Sequence, residues 1–328
     1  MMDLAEYIGF LKEEKSENLT IIELRNAYKE GRIEKKLYWR MLRERFLPLI
    51  ELQKSIQDSG DDCSVEINGR DIILTRAGVR LSFDFSQTFC RAEGILSLGG
   101  NPEQEDFDYI TSFLNPGDVV LDIGANVGLV SISLLKSQPN VEKIYTFEPL
   151  PDTYEKMKQN LELNGNPEKI HPVNVGMSDN AGTFDFYLPG ENEAASMQPN
   201  MDEFYMQESV DGHYTGVKKM DKVECKVTTL DDYVAENNID RVNFIKIDVE
   251  GNEKNVLLGG RAILKKYHPV VYCEMLRKHA ARFGYHPNEI IEYMKSLDYK
   301  CYTLHDGRLI PFTEMTEDTV ETNFFFCK

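Results

Sequence analysis

The chain has 328 residues and a formal net charge of −18, with 37 lysines and arginines against 55 aspartates and glutamates. Nucleic-acid binding depends on many Lys and Arg contacts to phosphate, so a sequence pI near 4.8 argues against RNA or DNA as a partner. No apolar run approaches the ~20 residues of a membrane span, and the first residues lack the basic and apolar segments of a signal peptide, so we expect a cytoplasmic protein.

The N-terminal region, residues 1–60, is predicted to consist of two or three helices with a break at Gly31. Four apolar residues recur there at helical spacing and predict one apolar face: Leu37, Met41, Leu42 and Phe46. Three basic residues lie away from that face: Arg40, Arg43 and Arg45. This region either packs on the core or on a second subunit of a homo-oligomer, or it receives a phosphorylated acceptor or an anionic membrane face.

Residues 61–100 are predicted to form a small β accessory region before the main domain at 101–328. Apolar and polar residues alternate between Cys63 and Cys90, and N-G-R-D at 68–71 is a good hairpin turn. A helix is then predicted from Asn101 to Phe113. Three charged residues lie near enough in sequence to touch a ligand, with surface charge as the default interpretation: Arg91, Glu93 and Glu105.

The stretch at 119–135, V-V-L-D-I-G-A-N-V-G followed by L-V-S-I-S-L-L, predicts a buried strand, a tight glycine loop and a helix. Such a unit cradles a cofactor, because glycines allow a close approach and the helix presents unpaired N–H groups. The spacing G-x-x-x-G differs from the G-x-G-x-x-G of dinucleotide sites. Asp122 would repel a pyrophosphate but suits the ammonium and sulfonium of S-adenosylmethionine (SAM), so the residues favour SAM over NAD.

Strands and helices continue to alternate beyond the glycine loop, and acids follow the predicted strands. Glu148, in I-Y-T-F-E-P, is placed to accept both hydroxyls of a ribose, which suits NAD as well as SAM. Ser178 and Asp179 follow the third predicted strand. Asp179 either accepts an adenine amino group or forms the turn before Asn180.

A long polar insertion at 189–221 separates two further predicted strands, and loops of this length are usually functional or disordered. Three of its residues are of the kind that a lid offers to a sugar ring: Tyr205, His213 and Tyr214. A lone histidine in a loop is more often simply exposed, so this interpretation stays open.

Asp248, Glu250 and Glu274 follow the fourth and fifth predicted core strands, at the sheet edge where parallel α/β sheets bind ligands. Asp248 or Glu250 is predicted to act as the general base that removes the proton of an acceptor hydroxyl. Alternatively, Asp248 and Glu274 ligate a divalent cation, for which Mg²⁺ suits oxygen ligands. A third interpretation is that Asp248 and Glu250 cap the following helix.

Five motifs occur in the order seen in the FkbM-type methyltransferases, a family of SAM-dependent O-methyltransferases: D-I-G-A-N-V-G at 122–128, F-E-P at 147–149, N-V-G-M-S-D at 174–179, T-T-L-D-D-Y at 228–233 and I-K-I-D-V-E-G at 245–251. The chain resembles this family from about residue 115 to residue 302. The resemblance implies an α/β fold with a Rossmann-like class I methyltransferase sheet, mostly parallel and seven-stranded, with an antiparallel terminal strand. It implies SAM as cofactor and favours the adenine role for Asp179. The predicted cofactor-binding residues are Asp122, Gly124, Asn126, Gly128, Glu148, Ser178 and Asp179.

The sequence therefore predicts a SAM-dependent O-methyltransferase that acts on a hydroxyl of a sugar, a glycan or a glycan precursor. A polyketide-like metabolite is the second acceptor class. Two different classes of protein remain as alternatives. An NAD-dependent oxidoreductase is disfavoured by Asp122 and the glycine spacing, and a non-catalytic SAM-binding scaffold is disfavoured by the retained acids at the strand ends.

Overall fold

The computed structural model of the protein describes residues 20–58, 63–68, 71–84, 104–188, 195–199 and 221–328. The chain divides into two compact units, residues 1–64 and 65–328. Five residues considered above lie outside the described residues: Arg91, Glu93, Tyr205, His213 and Tyr214.

The N-terminal unit contains helices α1, Ile21–Lys29, and α2, Lys35–Asp58. Gly31, with a φ of 73°, lies between them and confirms the predicted break. Leu24, Ala27 and Ile33 are buried against the apolar side of α2, as its helical spacing predicts. Phe46 departs from the prediction, because 43% of it is exposed.

The remaining elements follow in chain order. The strands are β1 Cys63–Asn68, β2 Asp71–Arg76, β3 Val79–Asp84, β4 Val119–Ile123, β5 Lys143–Phe147, β6 Ile170–Val173, β7 Gly176–Met177, β8 Gly182–Leu188, β9 Asp221–Thr228, β10 Phe244–Ile247, β11 Val270–Glu274, β12 Lys300–His305, β13 Arg308–Phe312 and β14 Asn323–Cys327. The helices are α3 Gln104–Phe113, α4 Leu129–Ser137, α5 Pro151–Leu163, α6 Leu230–Glu236, α7 Glu253–Gly259, α8 Arg261–Tyr267, α9 Arg277–Arg282 and α10 Asn288–Ser296.

The main sheet has the strand order β13-β12-β14-β11-β10-β4-β5-β6. Its strands β6, β5, β4, β10 and β11 are parallel, whereas β14, β12 and β13 pair antiparallel. This confirms the mostly parallel Rossmann-like sheet. The sheet has eight strands rather than the predicted seven, because β13 pairs with β12 through a turn at Asp306 and Gly307. The sequence R-L-I-P-F of β13 contains a proline and is mostly exposed, which an edge strand tolerates but which gives little periodic signal.

Helices cover both faces of the main sheet, so its central strands are buried on both sides. All five residues of β4 are buried, which explains their continuous apolar run apart from Asp122. One face packs against α3, α4, α5 and the sheet of β1, β2 and β3, and the other against α6, α7, α8 and α10. Phe324, Phe325 and Phe326 are completely buried, which confirms that they fill the core.

Two further features differ in detail from the sequence prediction. The helix predicted over 253–266 is split into α7 and α8 at Gly260. A Cβ at Gly259 would lie 2.1 Å from the carbonyl oxygen of Ser178, so glycine is required there for close packing. The strands β8 and β9, which flank the insertion, form a separate sheet with β7 in the order β7-β9-β8. Among the described helices, none combines the length and the apolar character that crossing a membrane requires.

The sheet of β1, β2 and β3 is attached to α5 by two asparagines. The Oδ1 of Asn160 accepts a hydrogen bond from the Ser82 N–H at 2.9 Å, and its Nδ2 donates to the Val127 carbonyl at 2.9 Å. The Asn164 side chain accepts from the Arg80 N–H and donates to the Arg80 carbonyl. Asn160 therefore connects β3 directly to the glycine loop.

Candidate functional site

The glycine loop after β4 is built on left-handed backbone conformations, with φ of 76° at Gly124, 49° at Asn126 and 86° at Gly128. A Cβ at Gly124 would lie 1.7 Å from the carbonyl oxygen of Asp248, so only glycine fits there. The Gly124 N–H donates to the Phe147 carbonyl at 3.1 Å. The loop is therefore held between the ends of β5 and β10, and its role as a cofactor cradle stays a prediction.

Asp122 is completely buried next to the glycine loop. Its Oδ2 accepts a hydrogen bond from Ser131 Oγ at 2.6 Å, and its Oδ1 lies 3.5 Å from Lys246 Nζ. The same Nζ donates to the Gly124 carbonyl at 2.9 Å and lies 3.5 Å from Asp248 Oδ2. Burial opposes the ammonium form, but the carboxylates of Asp248 and Asp122 outweigh it and raise the pKa of Lys246. The lysine therefore remains charged between two acids.

The buried carboxylate of Asp122 lies beside a buried cation. Lys246 is paired in register with Asp122 on the neighbouring strand, so a cation of the protein itself balances the carboxylate. Attraction between Asp122 and the positive end of SAM stays a prediction. The burial of Asp122 is accounted for without it.

Glu148 follows β5 and is 6% exposed. Its Oε2 accepts a hydrogen bond from the Asn126 N–H and its Oε1 from the Leu150 N–H, each at 3.0 Å. Burial raises the pKa of Glu148 to about 7, although these two hydrogen bonds favour the carboxylate. An acid with a pKa near neutrality thus lies beside the glycine loop.

Ser178 and Asp179 follow β7 and have different environments. Ser178 is buried, and its Oγ accepts from Asn252 Nδ2 and donates to Asp179 Oδ1, both at 3.3 Å. Its N–H donates to the Thr228 carbonyl at 3.0 Å. Asp179 is exposed, so of the two residues it is the one that a ligand reaches more readily.

The turn after β10 is anchored by an acid that the sequence analysis did not single out. Glu253 is buried, and its Oε1 accepts from the N–H groups of Val249 and Gly251 at 3.2 and 3.0 Å. Burial raises the pKa of Glu253. Glu253 therefore binds the N–H groups of this turn. The interpretation that Asp248 and Glu250 cap the following helix is wrong, because the N-cap of α7 is Asn252 and no side chain caps it.

Asp248 and Glu250, the predicted general bases, have different partners. Asp248 is 40% exposed and lies next to Lys246. Glu250 Oε2 lies 3.1 Å from His279 Nδ1 and 3.8 Å from Arg282 Nη2. The three guanidinium nitrogens of Arg282 are buried and make no hydrogen bond in the described part of the chain.

The predicted metal ligand Glu274, at the end of β11, belongs to a cluster that includes Glu250 rather than Asp248. One ligand-type atom from each of Glu250, Glu274 and His279 lies within 4.8 Å of the other two. The sequence analysis did not consider His279. A divalent cation with Asp248 and Glu274 as ligands stays a prediction, and the described residues offer Glu250 and His279 as additional ligands.

The structure brings together most of the predicted residues and adds four: Lys246, Glu253, His279 and Arg282. A lysine within the buried strand F-I-K-I was a signal that the sequence analysis passed over, because a buried cation requires an acidic partner. His279 and Arg282 occur in no motif. Their proximity to Glu250 arises from the packing of α9 against the turn after β10.

A parallel sheet with a glycine loop after its first core strand and a buried acid after the second defines a Rossmann-like cofactor-binding domain. The chain belongs to the FkbM methyltransferase family, because residues 122–301 match the family model for the methyltransferase FkbM domain.

Three curated relatives are similar over about half of the chain. "Methyltransferase sdnD" of Sordaria araneosa is 30% identical over 47% of this chain and 64% of its own length. "31-O-demethyl-FK506 methyltransferase FkbM" of Streptomyces tacrolimicus is 30% identical over 44% of this chain and 60% of its own. "Hexuronic acid methyltransferase AglP" of Haloferax volcanii is 25% identical over 52% of this chain and 61% of its own. The chain thus spans less than two thirds of each relative.

Proposed function

We propose that the protein is a SAM-dependent O-methyltransferase. The observation that carries this proposal is the Glu148 site, where a buried acid with a pKa of about 7 contacts the backbone of the glycine loop at Asn126. Membership of the FkbM methyltransferase family favours SAM over NAD as the cofactor. Bound SAM would supply a methyl group on a positively charged sulfur, which an acceptor oxygen attacks.

The residues proposed to hold SAM surround the carboxyl ends of the first core strands: Asp122, Gly124, Asn126, Gly128, Glu148, Ser178 and Asp179. Glu148 would accept the ribose hydroxyls, because its carboxylate has lone pairs beyond the two that bind N–H groups. The exposed carboxylate of Asp179 suits the adenine amino group. The glycines at positions 124 and 128 allow the loop to pack closely against Asp248 and Met157, which fixes the shape of the loop that would face the cofactor.

We propose a sugar or glycan hydroxyl as the acceptor. The name of the Haloferax volcanii relative, a hexuronic acid methyltransferase, supports this class. The second candidate is a polyketide-like secondary metabolite, which the name of the Streptomyces tacrolimicus relative supports. Asp248 and Glu250 lie beyond β10, where the acceptor proton would be removed, and Mg²⁺ held with the help of Glu274 is the alternative means of activating the hydroxyl.

The cofactor is tested by titration calorimetry with SAM, S-adenosylhomocysteine and NADH. We expect micromolar binding of the first two compounds and no binding of NADH. Glu148→Ala should weaken SAM binding by about ten- to a hundredfold, since hydrogen bonds to a charged group are worth roughly 1.5–3 kcal/mol. Glu155→Ala, which changes an exposed acid of α5, is the matched control. Binding of NADH without SAM would contradict the proposal.

The acceptor is tested with methyl-labelled SAM and three probes: UDP-glucuronic acid, UDP-N-acetylglucosamine and a macrolide with free hydroxyls. Transfer of label to a nucleotide sugar supports the glycan proposal, and transfer to the macrolide alone supports the second candidate. A protein that binds SAM but methylates nothing in this panel or in a metabolite extract would be a scaffold rather than an enzyme.

A further inference from the structure

His279 and Glu250 form a close pair beyond the carboxyl ends of the parallel strands. His279 Nδ1 lies 3.1 Å from Glu250 Oε2, and the two side chains are 17% and 19% exposed. This distance is within the range of a hydrogen bond. Catalytic hydrogen bonds often tighten only when substrate binds.

Backbone contacts hold the two residues in place. Glu250 has a φ of 55°, and its carbonyl accepts a hydrogen bond from Ser196 Oγ at 3.0 Å. A Cβ at Gly251 would lie 2.5 Å from the carbonyl oxygen of His279, so α9 packs directly against this turn. The positions of both residues are therefore fixed by the packing of α9 against the turn, which suits a catalytic pair.

The same turn borders the cofactor loop. Asp248, two residues before Glu250, has its carbonyl oxygen against Gly124, and no side chain fits between them. Ligands of parallel α/β sheets bind at this edge. The pair is therefore near the proposed cofactor site, on the side formed by β10 and β11.

We infer that His279 is the catalytic base for the acceptor hydroxyl and that Glu250 is the positioning residue that orients it; this inference rests on the proposed function. In this pair, the Nδ1–H donates to the Glu250 carboxylate, and Nε2 is the nitrogen that accepts a proton. The acceptor oxygen forms a bond to the methyl carbon while the carbon–sulfur bond breaks and its electron pair stays on sulfur. The hydroxyl proton passes to His279 Nε2 and from there to solvent.

The charged groups around His279 suit this role. Among the described residues, Glu250 faces it from the turn after β10, Glu274 from the end of β11, and Arg282 from its own helix. The two carboxylates favour the imidazolium that forms when Nε2 takes the proton. Arg282, 3.8 Å from Glu250 Oε2, partly balances this negative charge.

A divalent cation bound by Glu250, Glu274 and His279 is the competing explanation of the cluster. The two explanations place different groups on the imidazole. A metal on Nδ1 would displace the proton of the pair, whereas a metal on Nε2 would occupy the lone pair that the acceptor proton needs. The tautomer of His279 tests the first arrangement, and binding of Mn²⁺ tests both.

The experiment is nitrogen-15 NMR of the full chain with labelled histidine, with the His279 signals assigned from their loss in His279→Asn or, should that variant not fold, His279→Gln. We expect His279 to carry its proton on Nδ1 at mildly alkaline pH. His305 provides an internal reference for the other tautomer, because its Nε2, rather than its Nδ1, lies 3.0 Å from a carboxylate oxygen of Glu321. In Glu250→Ala, the preference of the proton for Nδ1 of His279 should weaken because its acceptor is lost, whereas Glu321→Ala should change only the tautomer of His305.

A proton on Nε2 of His279, or an unchanged ratio of the two tautomers in Glu250→Ala, would overturn the inference. So would broadening of the His279 signals by micromolar Mn²⁺, which would show that the cluster binds metal. These readings need no acceptor and no SAM. Failure of SAM to bind would end the proposed function, whereas SAM binding with the other tautomer would end only the His279 assignment.

Turnover is the second measurement, made with whichever of the three probes accepts label. His279→Asn should lower kcat by about 10²–10⁴ while SAM affinity is unchanged, because a positioned base contributes about this much. His305→Asn, which removes a histidine from a similar pair on β12, should leave kcat as it is. A kcat near that of the wild type in His279→Asn would also overturn the inference.

Discussion

Burial raises the pKa of Glu148 to about 7, so its charge changes within the pH range used in most assays. A protonated Glu148 loses most of its capacity to accept ribose hydroxyls. We therefore expect SAM affinity to rise about tenfold between about pH 6 and pH 8, as the folded protein gives up this proton. Calorimetry across this range would show the rise, and in Glu148→Gln the affinity should be lower and nearly independent of pH. An equal rise in both proteins would assign the effect to another group.

The raised pKa of Glu148 also makes the stability of the protein depend on pH. The pKa of Glu148 is about 7 in the folded chain, whereas in the unfolded chain it takes the ordinary glutamate value of 4.5. Between these values the folded state binds more protons, so the stability of the cofactor-free protein should fall as pH rises. Glu148→Gln should remove this part of the pH dependence.

Lys246 is the residue whose loss should cost the most stability in the site. Lys246→Met would remove the cation beside the buried Asp122 and leave the hydrogen bond from Ser131 in place. Removing one partner of a buried ion pair typically costs about 3–5 kcal/mol, and urea denaturation would measure this loss. The double variant Asp122→Asn with Lys246→Met should recover part of it. If the two single losses simply add, the pair is not coupled.

Two acids of the turn after β10 show why local sequence does not identify every residue of the site. Glu250 and Glu253 stand three positions apart in D-V-E-G-N-E, and nothing in that string tells which acid binds the turn and which faces α9. The answer depends on the left-handed conformation at Glu250 and on α9, which follows a different strand. His279 was missed for the same reason.

Asn160 of α5 connects the sheet of β1, β2 and β3 to the glycine loop. Asn160→Ala removes its bonds to Ser82 and to the Val127 carbonyl, whereas Asn164→Ala removes only bonds to Arg80 on β3 and one within α5. Each change should lower stability by roughly 1–3 kcal/mol, because buried backbone groups lose their partners. Only Asn160→Ala should also weaken SAM binding, which calorimetry on both variants would measure. Equal weakening would mean that β3, rather than the loop contact, supports the site.

Strands buried on both faces were predictable from the sequence, because their apolar runs leave few alternatives. β4, β5, β10, β11 and β14 all lie where the sequence predicts them, within a few residues. β13 was not predicted because an exposed edge strand needs neither an apolar run nor strict alternation. The break between α7 and α8 depends on close packing at Gly259, a contact with Ser178 that local sequence does not reveal.

Charge is unevenly distributed along the chain. The chain has a net charge of −18, yet α2 carries a basic cluster that includes Arg40 and Arg43. Arg40 is 60% exposed and lies 4.0 Å from Glu44, a spacing that contributes little to stability at a surface. Trp39 and Ile50 of the same helix are also more than half exposed. Stability alone does not explain why this face is basic and apolar.

Reversal of both arginines tests whether this face receives an acceptor. If this face attracts the acceptor, Arg40→Glu with Arg43→Glu should raise the KM for a nucleotide sugar severalfold and leave SAM affinity unchanged, because surface charge mainly affects encounter with a charged ligand. The rise should be largest at low salt, since screening weakens the attraction in the wild type. Lys265→Glu with Lys266→Glu, on α8, makes the same change of charge at other exposed lysines and serves as the control. Light scattering on each variant tests the alternative that α2 forms a homo-oligomer. An unchanged KM with a loss of dimers would assign the face to a homo-oligomer. If neither the KM nor the mass changes, the helix serves packing within its own unit.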